Sequence, residues 1–359
     1  MVNFIVDMTR PDDKAIQIGD NDSGRFFKFF PVFVELKTDQ AARRYLNLKN
    51  YDEAPGDATY WIEDRLNQNS LLGAAAGLFK ATAGHRSTAE TEIVNCLAKG
   101  TDIPLNLDGP VLSTDQFPLE TELPEKADWL TQLRLSGYPD FGLYIFRSAR
   151  VFMAVRCGNV ARSGRGGHAH NDLLSFELSI DGIPVIVDPG TYCYSSLPDM
   201  RNKFRSTAMH NTLAIRGKEQ NACELGLKGL FYLKDSANAE MMEFTGNVLE
   251  GRHKGFGEFH TRRIELFSDR IEAADRIALA GEKEIYFHFA PQIRVSSVNS
   301  NGLKLSCGNL KLKLVADKGS WNVFDDLYSA GYGQIEKSSV ARLSMHENAI
   351  LWTLSIDLD

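Results

Sequence analysis

His168, His170, Asp172, Asp188 and His210 place three histidines and two aspartates within 43 residues. Imidazole and carboxylate are the side chains that bind zinc and that move protons near neutral pH. His168 and His170 are two apart, so on an extended chain they point to the same face. Asp188 ends a strand that hairpins back from Ser175–Ile180 and so returns towards His170. His210 stands just before Leu213-Ala214-Ile215, where a strand restarts. One nitrogen from each of two histidines and one carboxylate oxygen, with water in the fourth position, is a zinc-compatible set. The same residue types also serve as hydrogen-bonded core histidines, and spacing alone does not choose between the two.

The elements that must position these residues change character along the chain. The first part reads as helical. Thr38-Asp39-Gln40 opens an amphipathic run through Tyr45 and Leu48, and Thr59–Phe79 carries apolar residues close to helical spacing. Ser87-Thr88-Ala89-Glu90 resembles a capping box, and Gly100 ends that helix. Pro104, Pro110, Pro118 and Pro124 then break any helix, which marks a linker over 101–128. From Phe141 the period becomes two. Strands are expected at 141–146, 151–155 and 175–180, with Asp181-Gly182 as a tight turn into 184–187. Paired strands follow at 261–267 with 271–274, 303–306 with 310–315, and 342–345 with 349–356. Short strands at hairpin spacing indicate an antiparallel sandwich. The expected fold class is therefore α+β and multidomain: a helical domain over 1–100, the linker, and an antiparallel β-sandwich over 129–359.

Composition narrows the function classes. The net charge of −7 argues against general nucleic-acid binding. No apolar run reaches the roughly 18 residues of a membrane span. Five cysteines without C-x-x-C spacing argue against a disulfide framework or a thiolate zinc site. Between Phe141 and Asn171 there is no acidic residue, while Arg147, Arg150, Arg156, Arg162 and Arg165 are all present, a field suited to an anionic ligand. Gly164-Arg165-Gly166-Gly167 lacks the Lys-Ser/Thr of a phosphate-cradling loop. Asp20-Asn21-Asp22 lacks the rest of a calcium loop and reads as a turn cap. Of Trp61, Trp129, Trp321 and Trp352, most read as core, with stacking on sugar rings as the alternative.

Several motifs together carry a resemblance. Gly164 to Asp172, Ser175-Phe176-Glu177-Leu178, Val187-Asp188-Pro189-Gly190-Thr191-Tyr192, Phe204-Arg205-Ser206-Thr207 and His210-Asn211-Thr212 resemble the β-sandwich domain of heparinase II/III-like polysaccharide lyases. Ile18-Gly19-Asp20-Asn21-Asp22-Ser23-Gly24-Arg25 resembles a loop late in that family's helical α/α toroid. The resemblance implies that the helical part is a remnant of such a toroid. It implies zinc held by His170, Asp188 and His210, with His168 facing the substrate cleft near a uronate carboxylate. His253, His260, His288 and His346 match nothing in the pattern and read as structural or surface residues.

The implied reaction is β-elimination on an acidic, uronate-bearing polysaccharide, the work of a carbon–oxygen lyase (EC 4.2.2.-). A base removes the C5 proton, the glycosidic oxygen leaves C4, and an unsaturated sugar forms. Charge building on the carboxylate needs donors, for which Arg165, Asn171 and Arg205 are the candidates, and a tyrosine or histidine can protonate the departing oxygen. Tyr192 and Tyr194, just after the Asp-Pro-Gly turn, join His168 as the catalytic candidates. The family's toroid supplies an asparagine–histidine pair and a tyrosine. Here about 100 residues precede the linker, and His85, the one histidine among them, does not sit in that motif. A missing toroid segment or a homo-oligomer is thus an implied partner. The alternative is a non-catalytic, zinc-stabilised module that binds glycan or a partner chain; an unrelated jelly-roll metal enzyme would space its ligands differently. The family implies a periplasmic location, whereas Met1–Asp7 has no signal-peptide pattern, which fits the cytoplasm or a piece of an exported chain.

Overall fold

The structure is a computed structural model. It describes residues 2–21, 28–44, 56–79, 88–103, 112–113, 128–160, 166–223, 226–299 and 302–357. The proline-rich linker, His85, Arg162 and Arg165 therefore lie outside the described residues, in whole or nearly so.

The N-terminal part runs α1 (Val2–Met8), β1 (Phe33–Lys37), α2 (Thr38–Arg44), β2 (Thr59–Glu63), α3 (Asn69–Phe79), α4 (Thr88–Lys99) and β3 (Leu112–Ser113). β4 (Arg134–Tyr138), β5 (Leu143–Arg147), β6 (Val151–Arg156), β7 (Phe176–Ile180) and β8 (Ile183–Ile186) follow. After α5 (Pro198–Phe204) come β9 (Leu213–Ala214), β10 (Glu240–Thr245), β11 (Val248–His253), β12 (His260–Leu266), β13 (Arg270–Ile277) and β14 (Lys283–His288). The chain ends with β15 (Arg294–Asn299), β16 (Gly302–Cys307), β17 (Leu310–Ala316), β18 (Ser320–Tyr328), β19 (Glu336–Met345) and β20 (Ala349–Ile356). No helix among the described residues is long and apolar enough to cross a membrane.

The expected α+β class and antiparallel sandwich are present. One layer is an eight-stranded sheet in the order β10-β11-β12-β13-β20-β17-β16-β15. The facing layer joins a five-stranded sheet, β4 to β8 in sequence order, to a four-stranded sheet, β18-β19-β14-β9. These two meet where Ile186 bridges Phe289, with Val187 N donating to His288 O and Ala290 N to Val185 O. β12 alternates buried and half-exposed residues, as a strand with one wet face should. β6 and β7 are buried along their whole length, because their sheet is covered on both sides. Phe146, Val151, Met153 and Val155 face the main core, while Leu143, Ile145, Phe152 and Ala154 face Ile16 together with Phe4, Met8 and Ile18. Residues before β1 thus lie directly on the sandwich.

Three expectations change. The helix expected over 59–79 is a strand, β2, followed by α3; Thr59-Tyr60-Trp61-Ile62 is rich in strand formers and pairs antiparallel with β1. The strands expected to pair at 342–345 and 349–356 belong to opposite layers. β20 fills the slot between β13 and β17, since a turn signal marks a reversal but not which sheet receives the next strand. Among the described residues, the arginines of the expected anion field are spent on partners within the protein. Arg147 donates to the carbonyls of Asp7 and Thr9, and burial lowers it to about 10. Arg150 pairs with Asp181, and Arg156 donates to Gly142 O and Asn159 O.

Candidate functional site

The site sits where 166–175, the residues after β8 and the residues before β9 converge. The Asp181–Gly182 turn, with φ of 52° and 78°, returns β8 along β7 and brings Asp188 beside the start of β7. Asn211 then sets the next residue. Its Nδ2 donates to Phe176 O and Val187 O, both at 2.9 Å, and its Oδ1 accepts from His288 N. One buried amide therefore ties together β7, the end of β8 and β14, and fixes His210 next to Asp188. Gly190 lets the chain turn there: φ is 84°, and a Cβ would stand 2.2 Å from Ser329 O.

His210 Nδ1 lies 2.7 Å from Asp188 Oδ2, and the His170 ring lies 5.3 Å from the His210 ring, centroid to centroid. Both rings are fully buried. His170 Nε2 lies 2.8 Å from Asp20 Oδ1, and His168 Nδ1 lies 2.9 Å from Asp20 Oδ2. Arg201, also fully buried, closes on the same carboxylate through Nη1 and, at 2.7 Å, Nη2. Asp20 thus holds two imidazoles and a guanidinium. Its backbone N donates to His168 O, and Gly19, at φ 63°, has no room for a Cβ, which would stand 2.5 Å from that carbonyl.

Electrostatics follow from this pairing. Burial alone would raise the Asp20 carboxyl, but the His170 hydrogen bond and the neighbouring cationic charge hold it below its ordinary value. An ionised carboxylate only accepts, so His168 Nδ1 carries the proton and the lone pair of the neutral ring lies on Nε2. His170 Nε2 faces both that carboxylate and, at 3.3 Å, the donor Arg201 Nη1. Burial is the largest influence on both deep rings. It lowers His170, whereas at His210 the attraction and hydrogen bond of Asp188 outweigh it and raise the ring.

His170 Nδ1 and His210 Nε2 are buried without a hydrogen-bond partner. Each orphan nitrogen has a carboxylate on the opposite side of its ring, an arrangement in which outer carboxylates orient metal-binding imidazoles. In that respect the residues fit a zinc ion. Asp188, however, directs Oδ2 at His210 Nδ1 and Oδ1 at Gly190 N. Among the described residues, no three His, Cys, Asp or Glu side chains already stand in a metal-holding geometry.

The remaining candidates separate clearly. The His168 side chain is 68% exposed, with Tyr194 and Phe231 rings at 6.0 and 5.9 Å. Tyr194 is half-buried beside it. The Tyr192 backbone takes φ 62°, and its ring packs in a buried cluster with Phe204, Met209 and Ile335. Asn171 and Arg205 are also buried. Asn171 donates to Glu219 and Asn221 O, and Arg205 spends its guanidinium on Asn202, Leu230 O and Gly229 O. Arg165 lies outside the described residues. Sequence reading missed Asp20 and Arg201 as site residues; the acidic Gly-Asp-Asn motif inside the family-like loop was the available signal.

A family model described as heparinase II/III-like, C-terminal, matches residues 131–353. A lysine-methylated heparinase III structure superposes with a TM-score of 0.61 at 14% identity, covering 100% of this chain and 45% of that one. The heparan sulfate lyase HepC from Pedobacter heparinus gives 0.59 at 14% identity, covering 99% and 45%. A further heparinase III gives 0.58 at 13% identity, covering 99% and 47%. No curated protein matches. The chain spans less than half the length of these solved structures, and at such identity the likeness shows the fold. A family match across most of the chain, on the segment that carries His168, His170, the Asp188–His210 pair and their sandwich, makes this chain a member of the heparinase II/III-like family.

Proposed function

We propose that the site takes part in β-elimination on a uronate-bearing acidic polysaccharide. One observation carries the reading: Asp20 fixes the tautomer of an exposed histidine, so that His168 presents a lone pair on Nε2 beside the half-buried Tyr194. A solvent-facing imidazole held by a buried carboxylate is the arrangement of a proton acceptor. His168 accepts the C5 proton, the C4–oxygen bond breaks as the C4=C5 double bond forms, and the departing oxygen takes a proton from the Tyr194 hydroxyl. His170 and His210, through the nitrogens left without partners, would hold zinc, with Asp188 orienting His210 from behind; when bound, the ion supplies a fixed positive charge behind the site.

Incubating the protein with heparan sulfate, alginate and other acidic glycans, and following ultraviolet absorbance of the conjugated uronate, tests the reading. His168→Ala is expected to lower the rate by about 10²–10⁴-fold with folding intact. Absorbance that grows equally in the variant sinks the assignment of the base. Absence of any growth by the wild type, with glycan still bound, favours the non-catalytic module. The metal has its own test. Elemental analysis of purified protein should find about one zinc per chain, and the His170→Ala/His210→Ala double variant should lose it. Zinc retained by that variant would place the ion elsewhere.

A further inference from the structure

We propose that Phe231, with Tyr194, forms a rigid ring-stacking subsite for a sugar unit of the chain bound at His168, an inference that rests on the glycan reading above. Phe231 ends a 3₁₀ turn, Leu227–Phe231, and leaves 38% of its surface exposed; Leu227 on the same turn is 72% exposed. Exposed apolar side chains on a flexible loop would need no explanation. This turn is anchored. Arg205 donates to Leu230 O at 3.1 Å and to Gly229 O at 2.7 Å, and Arg201 Nε donates to Leu230 O at 3.3 Å. Both arginines are almost fully buried. Gly166 N donates to Leu233 O just beyond the turn, which ties it to the segment bearing His168. Two buried guanidiniums committed to carbonyls of one short turn fix where the Phe231 ring stands.

The rings meet as a corner. Tyr194 and Phe231 lie 5.4 Å apart at 83°, so a ring laid against one meets the other edge-on. The Arg201 guanidinium stands 5.3 Å from each ring centroid and braces both. His168 adjoins both rings. The corner therefore opens beside the imidazole that the elimination uses. A pyranose presents a face of C–H groups that packs on an aromatic face, and rigid aromatics offer such area at little entropic cost. The occupant that suits an apolar corner next to a proton-transfer group is a sugar unit adjoining the cleaved bond.

The test uses the full chain and heparan sulfate oligosaccharides, with affinity read by calorimetry and turnover read by absorbance. Phe231→Leu keeps apolar volume and so keeps the fold, but removes the flat face. It is expected to weaken binding and raise KM about tenfold with kcat unchanged, and Phe231→Tyr to stay near wild type. Wild-type affinity in Phe231→Leu, or a fall in kcat alone, overturns the subsite while leaving the lyase reading intact. A wild-type protein that binds none of these oligosaccharides overturns the glycan reading and the subsite with it.

Discussion

Asp20→Asn is expected to destabilise the protein by about 3–5 kcal/mol and to slow elimination by about 10²–10⁴-fold. The stability loss follows from Arg201. Its guanidinium is fully buried and both terminal nitrogens close on the Asp20 carboxylate, so the isosteric amide leaves a buried cation without its counter-charge. The rate loss follows from His168. One carbonyl oxygen cannot accept from His168, His170 and Arg201 together, and the amide NH2 of asparagine would face donors. The His168 ring then loses the partner that keeps its lone pair on Nε2. Thermal unfolding and the elimination rate measure the two effects separately. A variant as stable as wild type would mean that Arg201 finds its compensation elsewhere; full activity would mean that His168 does not depend on Asp20.

Asp275→Asn is expected to cost about 3–5 kcal/mol and to flatten the acid side of the stability profile. Asp275 is fully buried and accepts from Arg262 Nε and Nη2, His260 Nε2 and Trp352 Nε1. Burial would raise this carboxyl, but the Arg262 charge and the His260 bond hold it far below the ordinary value of 3.8. The folded state therefore binds a proton less readily than the unfolded chain. The resulting stabilisation is complete above pH 3.8 and is lost as pH falls below it. The effect reaches the site, because Arg262 Nη1 also donates to Leu174 O at 2.8 Å and Asn211 O at 2.7 Å. Denaturant unfolding of both proteins from pH 6 down to about pH 3 checks this. An unchanged acid slope in the variant would show that other carboxylates set it.

What was legible in the sequence is what short-range physics encodes. The Asp181-Gly182 turn requires positive φ and fixes a hairpin, and the hairpin brings Asp188 back beside the start of β7. The hairpin places Asp188, while its pairing with His210 also needs Asn211, which ties the chain to His288 on β14. Asp20 was hidden because its partners lie 148 and 150 residues away, and an aspartate between Gly19 and Asn21 reads equally well as a turn. Tyr192 and Tyr194 look equivalent at strand spacing, but the left-handed backbone at Tyr192 turns one ring inward. Of the arginines that suggested an anion field, Arg147 and Arg156 bond carbonyls and Arg150 pairs with Asp181, since composition reports charge and not its partners. Of the histidines outside the motif, His253 and His260 are fully buried. His253 Nδ1 accepts from Gly255 N, and the two rings then chain to Asp275.

The most direct test of the elimination itself is the mass of its products. A size-defined heparan sulfate oligosaccharide is digested and both fragments are weighed. Because the proton leaves C5 and the departing oxygen recovers one, no water enters, and the two fragment masses should sum to that of the substrate. Fragments whose sum exceeds the substrate by one water would identify hydrolysis and contradict the account, as would an oligosaccharide left uncut.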